Sequence, residues 1–404
     1  METYLLDWAN LLLRWLHVIT AIAWIGSSFY FVWLDNHLVP PADPALRDKG
    51  VGGALWAVHG GGFYHPQKYL GAPPRIDSEL HWFYWESYST WLSGFALFTM
   101  LYLFNAGTFL IDKSVYAWGP AAAIGASLGL LVAFWLVYDL ICRVFGQRPG
   151  GDRIVGVLVA LVVAVSAWGV CQLFAGRAAF LLVGAMMATT MSANVAMWII
   201  PGQRKVVAAI QAGAPVDPVH GQRGKQRSQH NTYFTLPVLV AMLSNHYGQL
   251  YTHRWNWVLL ILLMLCGALI RQFFVARHKT QVNHQPSPWG WVVAGLVPLV
   301  AAIALAAPWG AAGSSAAAVP AANLAQLQTS VEAVVQQRCV MCHNAQVQNK
   351  GVALHTPELL QHHAVQVHQQ AVVLKAMPMG NATGITDEER ALIGRWFQAR
   401  QATP

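Results

Sequence analysis

The chain has 404 residues, 55% of them hydrophobic and only 10% charged, with a formal net charge of +8. A soluble chain carries about a quarter charged residues, so soluble globular, disordered and disulfide-scaffold classes are excluded and a polytopic membrane protein is expected. Eighteen Trp and twelve Tyr agree, because such rings favour the membrane–water interface. The positive charge is no nucleic-acid footprint, since it gathers in the short loops on one side.

Eight apolar runs approach the roughly 20 residues that a helix needs to cross a hydrocarbon core. They lie near 10–34, 82–104, 117–138, 155–174, 178–200, 232–249, 256–276 and 289–307. The sixth is the least regular, with Pro237, Asn245 and His246. The first lacks a basic leader and a small-residue cleavage site, so it reads as a retained first helix. Residues 308–323 are small and Pro-containing and read as a flexible linker. From 324 to 404 the chain is polar and rich in Gln and His, as befits a small soluble domain. Cys142, Cys171 and Cys266 sit in or beside apolar runs and read as buried small residues.

Eight spans put both termini on one side. The odd-numbered connections carry fifteen Lys and Arg, among them Arg75, Arg227 and Arg271, whereas the even ones carry Lys113, Arg177 and Arg254. By the positive-inside rule the odd loops are cytoplasmic. The N-terminus and the soluble domain then face outward, which in a bacterial inner membrane means the periplasm.

Residues 339–343 read Cys-Val-Met-Cys-His, the attachment pattern of a c-type haem. Cys339 and Cys342 lie one helical turn apart, so each can form a thioether with a haem vinyl group, and His343 supplies the proximal iron ligand. A helix is predicted before the motif, over Leu324–Arg338. Downstream, Met377 precedes Pro378, and Thr386 with Glu389 makes a capping box that opens a last helix near 387–400. Met377 is the first choice for the distal ligand. Met379, His355, His362, His363 and His368 are the alternatives. Trp396 is expected to pack on the haem or on the helix before the motif. The predicted fold class is all-α: an eight-helix membrane bundle over 1–307 and a class I cytochrome c domain over 324–404.

Eight helices exceed what an anchor needs, so polar residues in or beside the spans direct attention to function. His17 and Trp24 share a face of the first helix. His17 and His246 fall toward the outer side, and two His from different helices are candidate ligands of a haem b. His81, Glu86, Ser192, Asn194, His230 and Asn231 fall toward the inner side. There His81 and Glu86 are candidate acid–base groups, and Ser192, Asn194, His230 and Asn231 are candidate substrate-binding residues.

Three segments carry a resemblance: Arg14–Phe31 (RWLHVITAIAWIGSSFYF), Leu80–Gly94 (LHWFYWESYSTWLSG) and His230–Leu239 (HNTYFTLPVL). They resemble the bacterial membrane-bound urate oxidases of the PuuD type, which join an eight-helix membrane domain to a c-type cytochrome. The resemblance implies oxidation of urate to 5-hydroxyisourate, with electrons leaving through the cytochrome rather than to O₂. It implies haem attachment at Cys339 and Cys342, ligation by His343 and Met377, and a soluble cytochrome c or terminal oxidase as next acceptor. The alternative is a membrane-anchored cytochrome c that relays electrons from quinol or another dehydrogenase, which needs no substrate pocket.

Overall fold

A computed structural model describes residues 2–71, 73, 76–307, 321–373 and 375–401. Arg75 and most of the expected linker, 308–320, lie outside the described residues. Long helices dominate: α1 (Glu2–His37), α2 (Trp85–Phe98, continued by a π-helical turn Thr99–Leu103), the short α3 (Ala106–Phe109), α4 (Pro120–Phe145), α5 (Gly151–Leu173), α6 (Gly176–Asn194), α7 (Pro218–Leu243), α8 (Asn256–Val282), α9 (Gly290–Ala306), α10 (Ala321–Arg338) and α11 (Asp387–Gln401). α6 continues through a π-helical turn, Val195–Ile199, into Ile200–Gln211.

Among the described residues five helices are long and apolar enough to cross a membrane: Tyr4–His37, Pro120–Phe145, Gly151–Leu173, Gly176–Gln211 and Asn256–Val282. α9 is a shorter apolar helix. Large apolar side chains stand exposed along them, such as Ile22, Leu140, Val157, Val165 and Val293. Facing water they would cost hydrophobic free energy; facing lipid they cost none. The chain is a membrane protein built as a helical bundle.

The helices outrun the apolar runs at their inner ends, which corrects the loop reading. Arg227 lies inside α7 and is 3% exposed, and Arg271 lies inside α8 with the same exposure. Neither is a loop charge. A second departure from a purely helical chain is the connection after α1. There Val51–Ala54 pairs antiparallel with Gln67–Tyr69, and Ala57–His59 pairs with Gly62–Tyr64. Glycines at 50, 60 and 61 with positive φ make these short hairpins turn.

The core of the bundle centres on α6, whose Ala178, Ala179, Phe180, Leu182 and Met186 are wholly buried. Small residues let its neighbours approach closely, as at Gly184, where a Cβ would press on Ala241 of α7. A second apolar core joins α10 to α11 through Val331, Val335, Ile393 and Trp396. Trp396 donates to Gln328 of α10 at 2.5 Å, so it packs on that helix. α11 opens with the expected capping box: Glu389 N–H donates to Thr386 Oγ1 at 3.2 Å, and Thr386 N–H donates to Glu389 Oε2 at 2.8 Å. Arg338 at the end of α10 also reaches Glu389, at 3.0 Å.

Burial works to raise the Glu389 carboxyl, but the Thr386 N–H and Arg338 outweigh it and hold it below the usual carboxylate range. Its stabilising share is therefore complete above the unfolded value near 4.3 and is lost as pH falls through the lower folded value. Glu389→Gln should cost α11 about 1 kcal/mol at pH 7 and flatten its stability between pH 5 and 3. Hydrogen exchange of residues 387–401 in the full chain reads both effects.

Candidate functional site

A buried polar network occupies one end of the bundle. α4 brings Tyr138 and Asp139 to one turn. The end of α6 brings Ser192 and Asn194, and α7 brings Arg227, His230 and Asn231, whose spacing places them on neighbouring faces. Asn194 is wholly buried; its amide donates to Tyr138 Oη and to Asn231 Oδ1, both at 3.0 Å. Asn231 donates to the Met191 carbonyl at 3.0 Å. The Tyr138 hydroxyl and His230 Nδ1 are 2.7 Å apart. Asp139 receives Arg227 Nη2 and Trp198 Nε1, each at 2.7 Å, and Arg143 Nε at 2.6 Å. The π-helical turn after Asn194 swings Trp198 toward Asp139; such turns recur at functional sites because they re-aim side chains.

Four of the six expected inner residues thus converge: Ser192, Asn194, His230 and Asn231. Ser192 is tied to α2, since Ser87 Oγ donates to Ser192 Oγ at 3.1 Å. Glu86, one residue earlier, is half-buried, and its carboxylate has no hydrogen bond among the described residues. His81 stays outside the network; it is exposed and packs edge-on against Phe83. Sequence reading missed Ser87, Tyr138, Asp139, Trp198 and Arg227. An acid inside an otherwise apolar helix was the available signal for Asp139.

The two His proposed as haem b ligands sit in different surroundings. His17 Nδ1 lies 3.1 Å from Ser93 Oγ and 3.2 Å from the Thr90 carbonyl. Its ring fills the notch that Gly94 leaves in α2, where a Cβ would come within 2.8 Å. His246 is exposed on the turn after α7. One imidazole is engaged in helix packing and the other sits outside the bundle core.

At the C-terminal motif, Cys339 is half-buried and Cys342 is exposed. His343 N–H returns to the Cys339 carbonyl at 3.1 Å, which closes a helical turn. His343 Nδ1 bonds the Val352 carbonyl at 3.0 Å, which fixes the ring and leaves Nε2 for a metal. Burial pushes the Cys339 thiol up to about 11. This donor set suits covalent haem c. The Met377 main chain is fixed by Arg390, which donates to its carbonyl at 2.8 Å. Met379 points elsewhere, with Sδ 4.0 Å from Arg177. His363 is engaged with Gln366, and His368 stacks on Phe397. His355 Nδ1 is buried without a partner among the described residues.

The same turn touches the bundle. Gly380, at φ +58, sits so close to α3 that a Cβ would collide with the Thr108 and Ile111 carbonyls. Arg177, which approaches Met379, also donates to Asn245 Oδ1 at 3.0 Å, as does Tyr102 at 3.1 Å.

Removing Asp139 strands Arg227 in the bundle. Asp139→Leu should cost about 3–5 kcal/mol, whereas the double change Asp139→Leu with Arg227→Met should recover most of it. Thermal unfolding in detergent compares the two.

The profile of the family described as Urate oxidase N-terminal matches residues 3–307. No curated protein and no solved structure matches the chain. The match covers the whole helical bundle and stops before the C-terminal cysteine motif, and the chain belongs to the urate oxidase N-terminal family.

Proposed function

We propose that the protein is a membrane-bound urate oxidase that converts urate to 5-hydroxyisourate and passes the electrons to a c-type haem in its own C-terminal domain. The observation that carries this reading is the contact of Gly380 with α3. It joins the family-matched bundle to the turn that follows Met377. In this reading residues 1–307 span the bacterial inner membrane eight times, with the N-terminus and the 324–404 domain in the periplasm. A soluble cytochrome c or a terminal oxidase takes the electrons next.

The reaction balances as urate monoanion plus water giving 5-hydroxyisourate, one proton and two electrons. Haem c, held by Cys339, Cys342, His343 and Met377, supplies a one-electron acceptor of raised potential, so each urate needs two transfers. The chain's own residues supply the rest. Glu86 has a free carboxylate on the first turn of α2, next to Ser87, and is placed to accept a proton. The Tyr138–His230 pair holds a proton within one hydrogen bond and keeps the α4–α7 contact ordered. Aromatic rings along α2, with Trp91 on Phe95 and Phe98 on Tyr102 and then Phe109, extend between the inner network and α3.

The competing reading is a cytochrome c relay fed by quinol or another dehydrogenase. It predicts haem reduction by quinol and none by urate. Under anaerobic conditions urate should reduce the c-type α band of the oxidised protein, and His343→Ala should abolish that band. No reduction by urate, with full reduction by dithionite, would overturn the proposal in favour of the relay.

Gly380→Asn keeps a residue type that tolerates positive φ but adds bulk against the α3 carbonyls. Its haem should remain reducible by dithionite, while reduction by urate slows about tenfold or more. Stopped-flow spectroscopy separates the two rates.

A further inference from the structure

Of the two cations buried in the bundle among the described residues, Arg227 is neutralised by Asp139. Arg271, on α8, is 3% exposed, and its Nε and Nη2 have no hydrogen-bond partner among the described residues. It makes no salt bridge there either. Its guanidinium lies over the Phe29 ring of α1, 3.9 Å from the centroid. An uncompensated cation inside a membrane bundle is costly and is retained where an anion completes it.

The orphaned atoms state the geometry of that anion. Nε and Nη2 are the side-on fork of a guanidinium, two parallel donors in one plane. They match two adjacent acceptors on a planar group. Seven residues on, along the same face of α8, His278 Nδ1 is also buried without a partner among the described residues. The His278 ring lies 4.8 Å from His37 of α1, and His37 packs on Trp33 at 5.0 Å. Phe29, Trp33 and His37 are four residues apart and line one face of α1. Next to Arg271 on α8, the Gln272 side chain accepts from the Tyr233 hydroxyl of α7. The junction of α1, α7 and α8 therefore holds one unsatisfied cationic fork, one unsatisfied imidazole nitrogen and aromatic side chains.

We infer that this junction of α1, α7 and α8 is the anion subsite of the substrate. Arg271 grips the acceptor edge of a planar heterocyclic monoanion, Phe29 and Trp33 flank it, and His278 Nδ1 makes a third hydrogen bond. The inference rests on the urate reading and adds where the anion is held. The network at Asn194 is the weaker host, because its amides and Arg227 already bond each other and Asp139. A phospholipid phosphate shares the chemistry of the fork, so the test separates the two sources.

The test is equilibrium dialysis of radiolabelled urate against the full-length protein in detergent, reduced with dithionite under anaerobic conditions so that bound urate is not consumed. The wild type should bind. Arg271→Met should bind about a hundredfold more weakly, the loss expected for a two-bond charged contact, and Arg271→Lys should recover part. Arg271 has no ion pair to lose, so Arg271→Met should keep or raise the unfolding temperature, as a structural cation would not. If Arg271→Met fails to fold, His278→Ala carries the test, with about tenfold weaker binding expected. Wild-type affinity in the Arg271→Met or His278→Ala protein overturns the assignment, while urate reduction of the wild-type haem leaves the proposed activity standing. Loss of co-purifying phospholipid phosphate from Arg271→Met, with urate affinity intact, gives the fork to a lipid and also overturns it. A wild type that neither binds urate nor is reduced by it removes the activity and the subsite together.

Discussion

Burying charge in a bilayer is expensive unless each charge is met, and this constraint orders the inner half of the bundle. Asp139 is the hinge of it. One carboxylate, 4% exposed, takes two guanidiniums and an indole N–H from three helical segments. Its bonds fix the depth of α7 relative to α4, because Arg227 cannot slide along the helix without leaving Asp139. With that depth set, Asn231 and His230 meet Asn194 and Tyr138, and Ser192 meets Ser87 of α2. Against this background of satisfied groups, the unpaired fork of Arg271 stands out chemically.

In the proposed function the two ends of the bundle pose a distance problem for the electrons. Tyr138 is the nineteenth residue of α4, about 27 Å along the helix from its outer end. The Met379–Gly380 turn docks at that outer end, on α3 and beside Arg177. Rings along α2 line much of the interval, and the bridge Tyr102–Asn245–Arg177 continues to the docked turn. Docking through the turn beside Met377 leaves Met341 and Cys342 of the motif exposed.

Much of this was legible in the sequence, for physical reasons that differ by element. Apolar run length reports helices directly, and the capping box at Thr386 and Glu389 fixes the start of α11 by a bond between two residues three apart. The Cys339–His343 pattern is equally local. What failed was non-local. Arg227 and Arg271 look like loop charges at the edge of an apolar run, and only helices that continue past that edge reveal them as interior groups. Asp139 gained its meaning from Trp198 and Arg227, far off in the chain. The close seat of His17 against Gly94 lies across a helix interface, beyond the reach of spacing within one helix. The hairpins over 51–69 are short and glycine-led, and they fell below any periodic signal.

The central claim is that urate is oxidised inside the bundle without oxygen and that its electrons leave through the C-terminal domain. Its most direct test is turnover of the full-length protein in an oxygen-free solution, with urate as donor and oxidised soluble cytochrome c as acceptor. The account predicts two cytochromes reduced for each urate consumed, 5-hydroxyisourate as product, and its new oxygen atom drawn from labelled water. Urate consumption that stops without O₂, or that yields hydrogen peroxide when O₂ is present, would contradict it.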